Sequence, residues 1–162
     1  MAKEGLENAR VPKTKRSGRI VIHGERCWGC SLCELACSLY HEGLCNPSFS
    51  RISVRKDFLE LSFKPDLCIQ CAWPSCYYEC PAGAILIDER TGARYIDPDR
   101  CTGCGRCAGV CPLMPDAEVI RYRESGGKRT YFKCDLCRER NEGPLCVAVC
   151  PRNALEYDAK EV

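Results

Sequence analysis

Cysteine is the residue type that carries the chemistry of this chain. Of its 17 cysteines, all but Cys45 fall into four short groups of four. The third group reads CTGCGRCAGVCP, in which two residues separate the first three cysteines, three residues precede the fourth, and proline follows it. This spacing holds 4Fe-4S clusters, because one loop can present three thiolates to one iron-sulfur cube. The groups predict four such clusters and a chain that carries single electrons. They are Cys27, Cys30, Cys33 and Cys37; Cys68, Cys71, Cys76 and Cys80; Cys101, Cys104, Cys107 and Cys111; and Cys134, Cys137, Cys146 and Cys150.

The four groups differ from one another in two small ways. The second and fourth groups have a longer gap before the third cysteine. The first group has the regular gaps, but Ser38 stands where proline follows the other three. In two-cluster chains with this spacing, the fourth cysteine ligates the neighbouring cluster. We therefore expect clusters held in interlocked pairs and a fold that depends on iron.

Two other uses of cysteine fit the pattern less well. Disulfide frameworks belong to oxidising compartments, and the N-terminal residues show no secretory or twin-arginine signal. We therefore expect a soluble, cytoplasmic protein. Zinc is bound by pairs of C-x2-C, but each group here brings a third cysteine close by. Cys45 is predicted to be a small buried hydrophobic residue, with replacement of a ligand or contact with a partner as the alternatives.

Charge divides the chain into a basic arm and an acidic body. The formal net charge of +2 counts cysteines as neutral, whereas four oxidised clusters with their thiolates would contribute about 8−. Residues 1–18 are predicted to form a basic arm that docks on a catalytic subunit or on a neighbouring copy of the chain. The docking residues would be Arg10, Lys13, Lys15, Arg16 and Arg19. Nucleic acid is not an expected partner, since no basic surface interleaved with aromatic residues is recognisable. No apolar run is long enough to span a membrane.

Short strands and short helical turns should position the cysteine groups. Turn residues between apolar runs predict four strand pairs. The pairs are residues 19–23 with 154–157, 51–55 with 59–63, 84–87 with 93–96, and 118–123 with 128–133. Helical turns are predicted just before each fourth cysteine, at residues 34–36, 77–79, 108–110 and 147–149. Proline should end the last three of these turns, because a helix does not continue through it.

The span from Cys27 to Pro151 resembles the four-cluster ferredoxin-like electron-transfer subunits that accompany molybdopterin and tungstopterin oxidoreductases, including the formate dehydrogenase and dimethyl sulfoxide reductase types. The resemblance implies an α+β fold of two ferredoxin-like lobes, built from short β-hairpins and short helices around four 4Fe-4S clusters, with a pseudo-twofold repeat. This double domain would cover residues 19–162. Its inner lobe would be residues 65–115, and its outer lobe residues 19–64 with 116–162.

The resemblance also implies which cysteines share a cluster. Three cysteines of one group would bind a cluster together with the fourth cysteine of another group. Cluster 1 would be held by Cys27, Cys30, Cys33 and Cys150; cluster 2 by Cys68, Cys71, Cys76 and Cys111; cluster 3 by Cys101, Cys104, Cys107 and Cys80; and cluster 4 by Cys134, Cys137, Cys146 and Cys37. Electrons would pass along the groups in sequence order or in its reverse.

A narrower resemblance concerns the length of the chain and the segment HEGLCNPSFSRISV at residues 41–54. These look like the small subunits paired with tungsten aldehyde oxidoreductase-type catalytic subunits, a group that includes aldehyde-oxidising and benzoyl-CoA-reducing complexes. The implied function is electron transfer between a pterin tungsten or molybdenum subunit and a flavin or NAD subunit or a ferredoxin. The alternatives are a free polyferredoxin carrier and a subunit of a formate dehydrogenase, hydrogenase or carbon monoxide dehydrogenase complex. No motif for bond-making chemistry is recognisable, so the chain is not expected to be an enzyme by itself.

Cations precede the first cysteine in three groups, as Arg26, Arg100 and Lys133. A positive charge held close to a cluster would favour its reduced form. We interpret these residues instead as solvated surface side chains, because exposed charges are strongly screened. The second group has Leu67 at this position.

Two tryptophans and two histidines also lie near the cysteine groups. Trp28 and Trp73 are inside cluster loops and are predicted to fill the core. The alternatives are shielding of the sulfurs from water and contact with a partner. His23 and His41 have no acidic partner close in sequence. They are predicted to be surface or hydrogen-bonded residues rather than metal ligands or proton carriers.

Overall fold

The computed structural model describes residues 17–159. This range contains eight strands, four α-helices and 3-10 turns at Gly24–Arg26 and Pro47–Phe49. The strands are β1 (Arg19–Ile22), β2 (Ile52–Asp57), β3 (Ser62–Leu67), β4 (Ile85–Ile87), β5 (Arg94–Ile96), β6 (Ile120–Ser125), β7 (Lys128–Lys133) and β8 (Leu155–Asp158). The helices are α1 (Leu32–Glu42), α2 (Ser75–Tyr78), α3 (Arg106–Gly109) and α4 (Leu145–Ala148). These small ferredoxin-like elements agree with the predicted α+β fold.

The strands of the described range pair as four separate antiparallel sheets of two strands each. β2 with β3, β4 with β5, and β6 with β7 are hairpins, whereas β1 pairs with β8 from the other end of the chain. All four predicted strand pairs are confirmed. One is displaced, because residues 58–61 form the turn and β3 begins only at Ser62. Two-stranded sheets are marginal in isolation, so other contacts must hold them in place.

The four predicted helical turns are present, but one is much longer than expected. α2, α3 and α4 have four residues each, and each ends before the proline that follows its group. α1 has 11 residues and continues past Cys37 to Glu42, because Ser38 can extend a helix and proline cannot. It ends at Gly43, which has the left-handed conformation (φ 71°) common at helix ends. No helix between residues 17 and 159 is long and apolar enough to cross a membrane.

Two buried apolar cores lie among the cysteine groups. The first core joins cysteines of the first and fourth groups to side chains of β1, β2, β3 and β8. The second core joins cysteines of the second and third groups to side chains of β4 and β6. Cys68 of the second group packs against the first core and thereby links the two. The hairpins therefore enclose thiols rather than one large hydrocarbon core.

Candidate iron-sulfur centres

All four cysteine loops share one backbone conformation. The residue just before the second cysteine has a positive φ in every group: Gly29 (67°), Gln70 (54°), Gly103 (74°) and Leu136 (58°). Glycine adopts this conformation freely, whereas other residues incur a cost of about 1–2 kcal/mol. A side chain at Gly103 would also collide with the chain, because its Cβ would lie 2.5 Å from the carbonyl oxygen of Arg129. The same local turn thus presents the first two cysteines of each group.

Two narrow cavities each contain three cysteines of one group and the fourth cysteine of another. The thiols lining the first cavity belong to Cys27, Cys30, Cys33 and Cys150. The thiols lining the second belong to Cys80, Cys101, Cys104 and Cys107. In both cavities, the fourth thiol therefore arrives from a distant part of the chain.

The remaining thiols show the same exchange through their effects on one another's pKa. Burial raises the pKa of Cys76 to about 11, and the thiolates of Cys68 and Cys111 contribute to this rise. Burial also raises the pKa of Cys146 well above its usual value, with a further contribution from the thiolate of Cys37. Cys111 therefore lies beside the second group, and Cys37 lies beside the fourth.

These thiols suit a positively charged iron-sulfur core. Burial raises the pKa of both Cys33 and Cys107 to about 12, and neighbouring thiolates add to the effect. Several thiolates in one dry site repel one another and are stable only beside a positive group. An iron-sulfur cube supplies that charge and takes its ligands from thiolates. The donor set and its burial therefore fit 4Fe-4S clusters.

Contacts between the groups run from the first to the fourth, then to the second, and finally to the third. At each junction between two groups, burial has the largest effect and raises the pKa of one cysteine. A thiolate of the other group raises this pKa further. The junctions are Cys33 with Cys146, Cys134 with Cys68, and Cys107 with Cys76. This differs from the expected sequence order, because pairing of β1 with β8 brings the fourth group beside the first.

Exposure of the cysteines follows the same spatial order. Cys30 in the first group and Cys104 in the third group are exposed. In the second and fourth groups, which lie between them, every cysteine is buried or half-buried. Solvent therefore reaches the row of thiols at its two ends, which we call the Cys30 end and the Cys104 end.

Backbone N–H groups donate hydrogen bonds to the fourth cysteine in two of the proline-ended groups. The N–H of Ala84 lies 3.3 Å from Sγ of Cys80, and the N–H of Ala154 lies 3.3 Å from Sγ of Cys150. Each donor follows its cysteine by four residues. Hydrogen bonds to ligand sulfur stabilise negative charge on a cluster and so help to set its potential.

The other two groups lack this local donor. The fourth residue after Cys111 is Pro115, which has no N–H group to donate. For Cys37 the donor is the N–H of Arg51, at 3.3 Å from Sγ and 14 residues away in sequence. The extended helix α1 separates Cys37 from the residues that would otherwise fold back on it.

α1 carries His41 into a buried charge network formed with Arg51 and Asp135. Nδ1 of His41 lies 2.9 Å from the carbonyl oxygen of Cys37, and Nε2 lies 3.0 Å from Oδ1 of Asp135. Arg51 donates to Oδ2 of the same carboxylate at 2.9 Å. Burial opposes these charges, but the hydrogen bonds raise the pKa of His41 to about 9 and lower the pKa of Asp135 to about 2. The prediction that His41 is hydrogen-bonded is confirmed, and its acidic partner lies 94 residues away in sequence.

The three cations that precede cysteine groups fall into two classes. Arg26 and Arg100 have side chains that are 49% and 60% exposed, and each pairs with a nearby carboxylate, so the surface interpretation is confirmed for them. Lys133 is only 2% exposed, so the surface interpretation is wrong there. Its Nζ lies 3.4 Å from Sγ of Cys68. β7 turns this side chain inward, where its ammonium group lies beside a cysteine of the second group.

Both tryptophans are on the surface rather than in the core. Trp28 is 65% exposed and Trp73 is 70% exposed, so the predicted core-filling role is wrong. Each directly follows or lies two residues after a cysteine of its cluster loop, and its ring is directed to solvent. The guanidinium of Arg152 covers one face of Trp28 at 3.9 Å from the ring centroid.

Cys45 and His23 lie outside the thiol groups. Cys45 is exposed, so its predicted burial is wrong; the loop after α1 carries it to the surface. His23 is hydrogen-bonded as predicted, with Nε2 at 3.1 Å from Oε2 of Glu156.

Most of the predicted docking arm lies outside the described residues. This holds for Arg10, Lys13, Lys15 and Arg16. Arg19 begins β1, where its half-exposed side chain places Nε 3.8 Å from a carboxylate oxygen of Asp158. The docking role of the arm therefore stays a prediction.

The repeated cysteine loops and the small sheets around them define an iron-sulfur electron-transfer protein of ferredoxin-like type. The family model of the 4Fe-4S dicluster domain matches residues 59–160, and a 4Fe-4S binding domain matches residues 24–40. The chain belongs to the 4Fe-4S dicluster domain family, and it binds multiple 4Fe-4S clusters.

Similar proteins include named electron-transfer components. The polyferredoxin-like subunit of an aliphatic sulfonate oxidoreductase from Pyrococcus furiosus is 39% identical over 131 residues, covering 81% of this chain and 70% of that protein. The electron transport protein HydN of Escherichia coli is 36% identical over 152 residues, covering 84% of this chain and 85% of HydN.

A solved structure also aligns with most of the chain. It is the active-site complex BamBC of benzoyl coenzyme A reductase with bound benzoyl-CoA, in which one chain is 27% identical with a TM-score of 0.51. The alignment covers 90% of this chain and 84% of that chain. The relatives thus include both an electron transport protein and parts of oxidoreductase complexes.

Proposed function

We propose that this chain relays single electrons between a pterin-bound tungsten or molybdenum catalytic subunit and a second redox subunit or carrier. The observation that carries the proposal is the combination of exposed ends and a buried middle. Cys30 and Cys104 are exposed in the two terminal groups, while the thiols of the intermediate groups are buried or half-buried. Electrons can enter and leave such a row at its ends while its centre is protected from solvent.

The proposal assigns four 4Fe-4S clusters to sixteen cysteines. Cluster 1 uses Cys27, Cys30, Cys33 and Cys150, and cluster 3 uses Cys101, Cys104, Cys107 and Cys80; the two shared cavities support these sets. Cluster 2 uses Cys68, Cys71, Cys76 and Cys111, and cluster 4 uses Cys134, Cys137, Cys146 and Cys37; the neighbouring thiolate charges support these sets. Electrons then pass between clusters in the order 1, 4, 2, 3.

Two ferredoxin-like lobes with a pseudo-twofold repeat follow from this assignment. Clusters 1 and 4 belong to the outer lobe, and clusters 2 and 3 belong to the inner lobe. The two buried apolar cores support the division, because one contains thiols of groups one and four and the other contains thiols of groups two and three. Val119 and Ile120 also pack in the second core, although the inner lobe was predicted to end at residue 115.

The relatives favour an oxidoreductase complex over a free carrier. One relative is a subunit of an aliphatic sulfonate oxidoreductase, and the aligned structure belongs to a benzoyl coenzyme A reductase complex. The second of these supports the resemblance of residues 41–54 to a group of small subunits that includes those of benzoyl-CoA-reducing complexes. The similarity to HydN, an electron transport protein, supports a second candidate, a free polyferredoxin carrier.

The Cys30 end carries the apolar surface on which a catalytic subunit would dock. The turn between β2 and β3 exposes Phe58, Leu59 and Leu61, with Leu59 97% exposed. Phe58 contacts Phe63 edge to face at 6.1 Å, and Phe63 packs against Gly29 in the first cysteine loop. Exposed apolar patches of this kind commonly mark interfaces.

The chain itself is proposed to be non-catalytic. The buried pair of His41 and Asp135 is engaged in the fold, because His41 bonds to the carbonyl oxygen of Cys37 and Asp135 to Arg51. The basic arm at residues 1–18 would add electrostatic attraction to an acidic partner. If so, removal of residues 1–16 should slow complex formation and weaken its dependence on salt.

Anaerobic affinity purification tests the proposed function. We expect a brown complex with a large subunit in fixed ratio, tungsten or molybdenum on that subunit, and about sixteen iron atoms on this chain. A colourless chain that holds zinc would overturn the cluster assignment. A brown chain purified alone would instead support the free carrier.

The docking surface needs a separate experiment. Leu59→Glu should reduce recovery of the large subunit without changing the iron content of this chain. Leu44→Glu is the control, because Leu44 is an exposed apolar residue in the loop after α1. Equal recovery with both variants would place the interface elsewhere.

A further inference from the structure

Three buried polar side chains form a node between the second and fourth cysteine groups: Gln70, Arg94 and Lys133. They are 6%, 5% and 2% exposed. The amide nitrogen of Gln70 donates to the carbonyl oxygen of Cys134 at 2.7 Å, and its amide oxygen accepts from the N–H of Arg94 at 2.8 Å. The node fixes the loop of one group to the strand that enters the other.

Lys133 is the part of the node that reaches a cluster ligand. Its Nζ lies 3.4 Å from Sγ of Cys68, and it also donates to the carbonyl oxygens of Arg94 and Cys134. These acceptors match the three N–H donors of an ammonium group. Lys133 thus precedes Cys134 in sequence but directs its charge to the second group.

Arg94 adds a second buried cation at the same group. One terminal nitrogen of its guanidinium donates to the hydroxyl of Ser17 at 2.8 Å. Burial lowers the pKa of Arg94, while the thiolates of Cys68, Cys71 and Cys76 oppose that change. Arginine keeps its charge even when buried, and buried charges need partners of opposite sign nearby. Arg94 is therefore near enough for its charge to interact with cysteines assigned to cluster 2, although only Lys133 contacts one of them.

Among the described cations that directly precede a first cysteine, Lys133 alone is buried beside a thiol. Two other cations, His41 and Arg51, lie near Cys37, but both are paired with the buried carboxylate of Asp135. Arg26 and Arg100 point to solvent and pair with Glu25 and Asp97. Solvent and salt screen such charges, whereas a buried charge is screened much less. Lys133 also supplies a hydrogen bond to the sulfur of Cys68. Among the cysteines assigned to cluster 2, Cys111 has no local backbone donor, because the residue four positions later is Pro115.

We propose that Lys133 makes cluster 2 the most easily reduced of the four clusters, so that an electron is held in the interior of the relay. This inference rests on the proposed cluster assignment. Cluster 2 accepts one electron and its core changes from 2+ to 1+, while the neighbouring cluster that supplies the electron changes from 1+ to 2+. No bond is made or broken. A buried positive charge stabilises the added negative charge, which raises the potential.

Anaerobic redox titration of the holoprotein, followed by electron paramagnetic resonance, tests this inference with Lys133→Met. We expect the equilibrium constant for reduction of one cluster to fall at least tenfold, which is 59 mV for a one-electron couple. Lys133→Arg keeps the positive charge and should lower this equilibrium constant less. Arg100→Leu is the matched control, because Arg100 also precedes a first cysteine but is exposed; it should leave all midpoints unchanged. Equal midpoints for Lys133→Met and wild type would overturn the inference.

A second measurement keeps the inference testable if Lys133→Met fails to assemble. In the wild-type protein, the first signal to appear during reduction should belong to cluster 2. We expect Cys111→Ser to alter that first signal and Cys80→Ser to leave it intact. The opposite pattern would assign the highest potential to cluster 3 and overturn the inference. A wild-type protein without iron or visible absorbance would instead overturn the proposed function.

Discussion

The first cysteine group and the three proline-ended groups use the same thiol spacing but surround the fourth cysteine differently. In the proline-ended groups, a helix of four residues stops and the chain turns back at once. Local N–H groups then reach the sulfur of Cys80 and Cys150, while Pro115 removes that donor for Cys111. In the first group, α1 runs on to Glu42, and Cys37 receives its contacts from His41 and Arg51. One residue, Ser38 in place of proline, separates the two arrangements.

The difference shows that a change at one residue can bring charged side chains from elsewhere in the chain to a cysteine. Because α1 continues past Cys37, His41 lies one helical turn after this cysteine and on the same face of the helix. Burial alone would raise the pKa of Cys37, but the hydrogen bond and charge of His41 together with the N–H of Arg51 lower it. A charge network thus replaces the short backbone turn of the other groups.

Ser38→Pro should have the largest effect on this comparison. Proline breaks a helix interior at a cost of about 3 kcal/mol or more. It also removes the Ser38 hydroxyl, which accepts a hydrogen bond from the N–H of Asn46 at 3.0 Å in a fully buried position. We expect the purified chain to lack part of its iron and visible absorbance. Ser38→Ala, the control, loses only the hydroxyl contacts and should cost about 1 kcal/mol with full iron content. Normal iron in Ser38→Pro would show that the helix extension is dispensable.

Asp135→Asn should have an intermediate effect. The substitution keeps the shape of the side chain but leaves His41 and Arg51 without a buried carboxylate. Hydrogen bonds to charged groups contribute about 1.5–3 kcal/mol, and we expect a loss of that size. The measurement is the guanidinium concentration at which half of the cluster absorbance is lost. Asp97→Asn is the control, because Asp97 pairs with an exposed arginine and such pairs contribute less than about 1 kcal/mol. Equal guanidinium midpoints for the two variants would mean that the charge network beside Cys37 contributes no more to stability than an exposed ion pair.

Pro151→Ala should have the smallest effect. Pro151 is exposed and follows the end of α4, so its main influence is on the unfolded chain. Such substitutions change stability by about 0.4–1 kcal/mol. The guanidinium concentration at which half of the cluster absorbance is lost measures this change in stability. A loss as large as that of Ser38→Pro would mean that proline actively holds the short helices in place.

Local parts of the fold and site were predictable from the sequence because spacing determines them. The strand pairs follow from turn residues between apolar runs, and the short helices follow from Pro81, Pro112 and Pro151. The length of α1 could also have been inferred, since Ser38, Leu39 and Tyr40 contain no helix-breaking residue. The absence of proline was recognised in the sequence, but its structural consequence was not.

Long-range contacts were not predictable in the same way. Nothing near His41 indicates Asp135, which comes from the loop of a different group, and nothing near Lys133 indicates Cys68. The burial of Lys133 is also contrary to the usual behaviour of lysine, which is almost never fully buried unless paired. Only the assembled fold brings the compensating acceptors together.

The pairing of β1 with β8 has a consequence for biosynthesis. The hairpin of β4 and β5 can form while the ribosome is still making the later part of the chain, whereas β1 must wait until Asp158 has been translated. Contacts that are distant in sequence form late. We therefore expect the thiols of the first group to stay open to oxidants longest in the nascent chain, and iron delivery at that end to finish last.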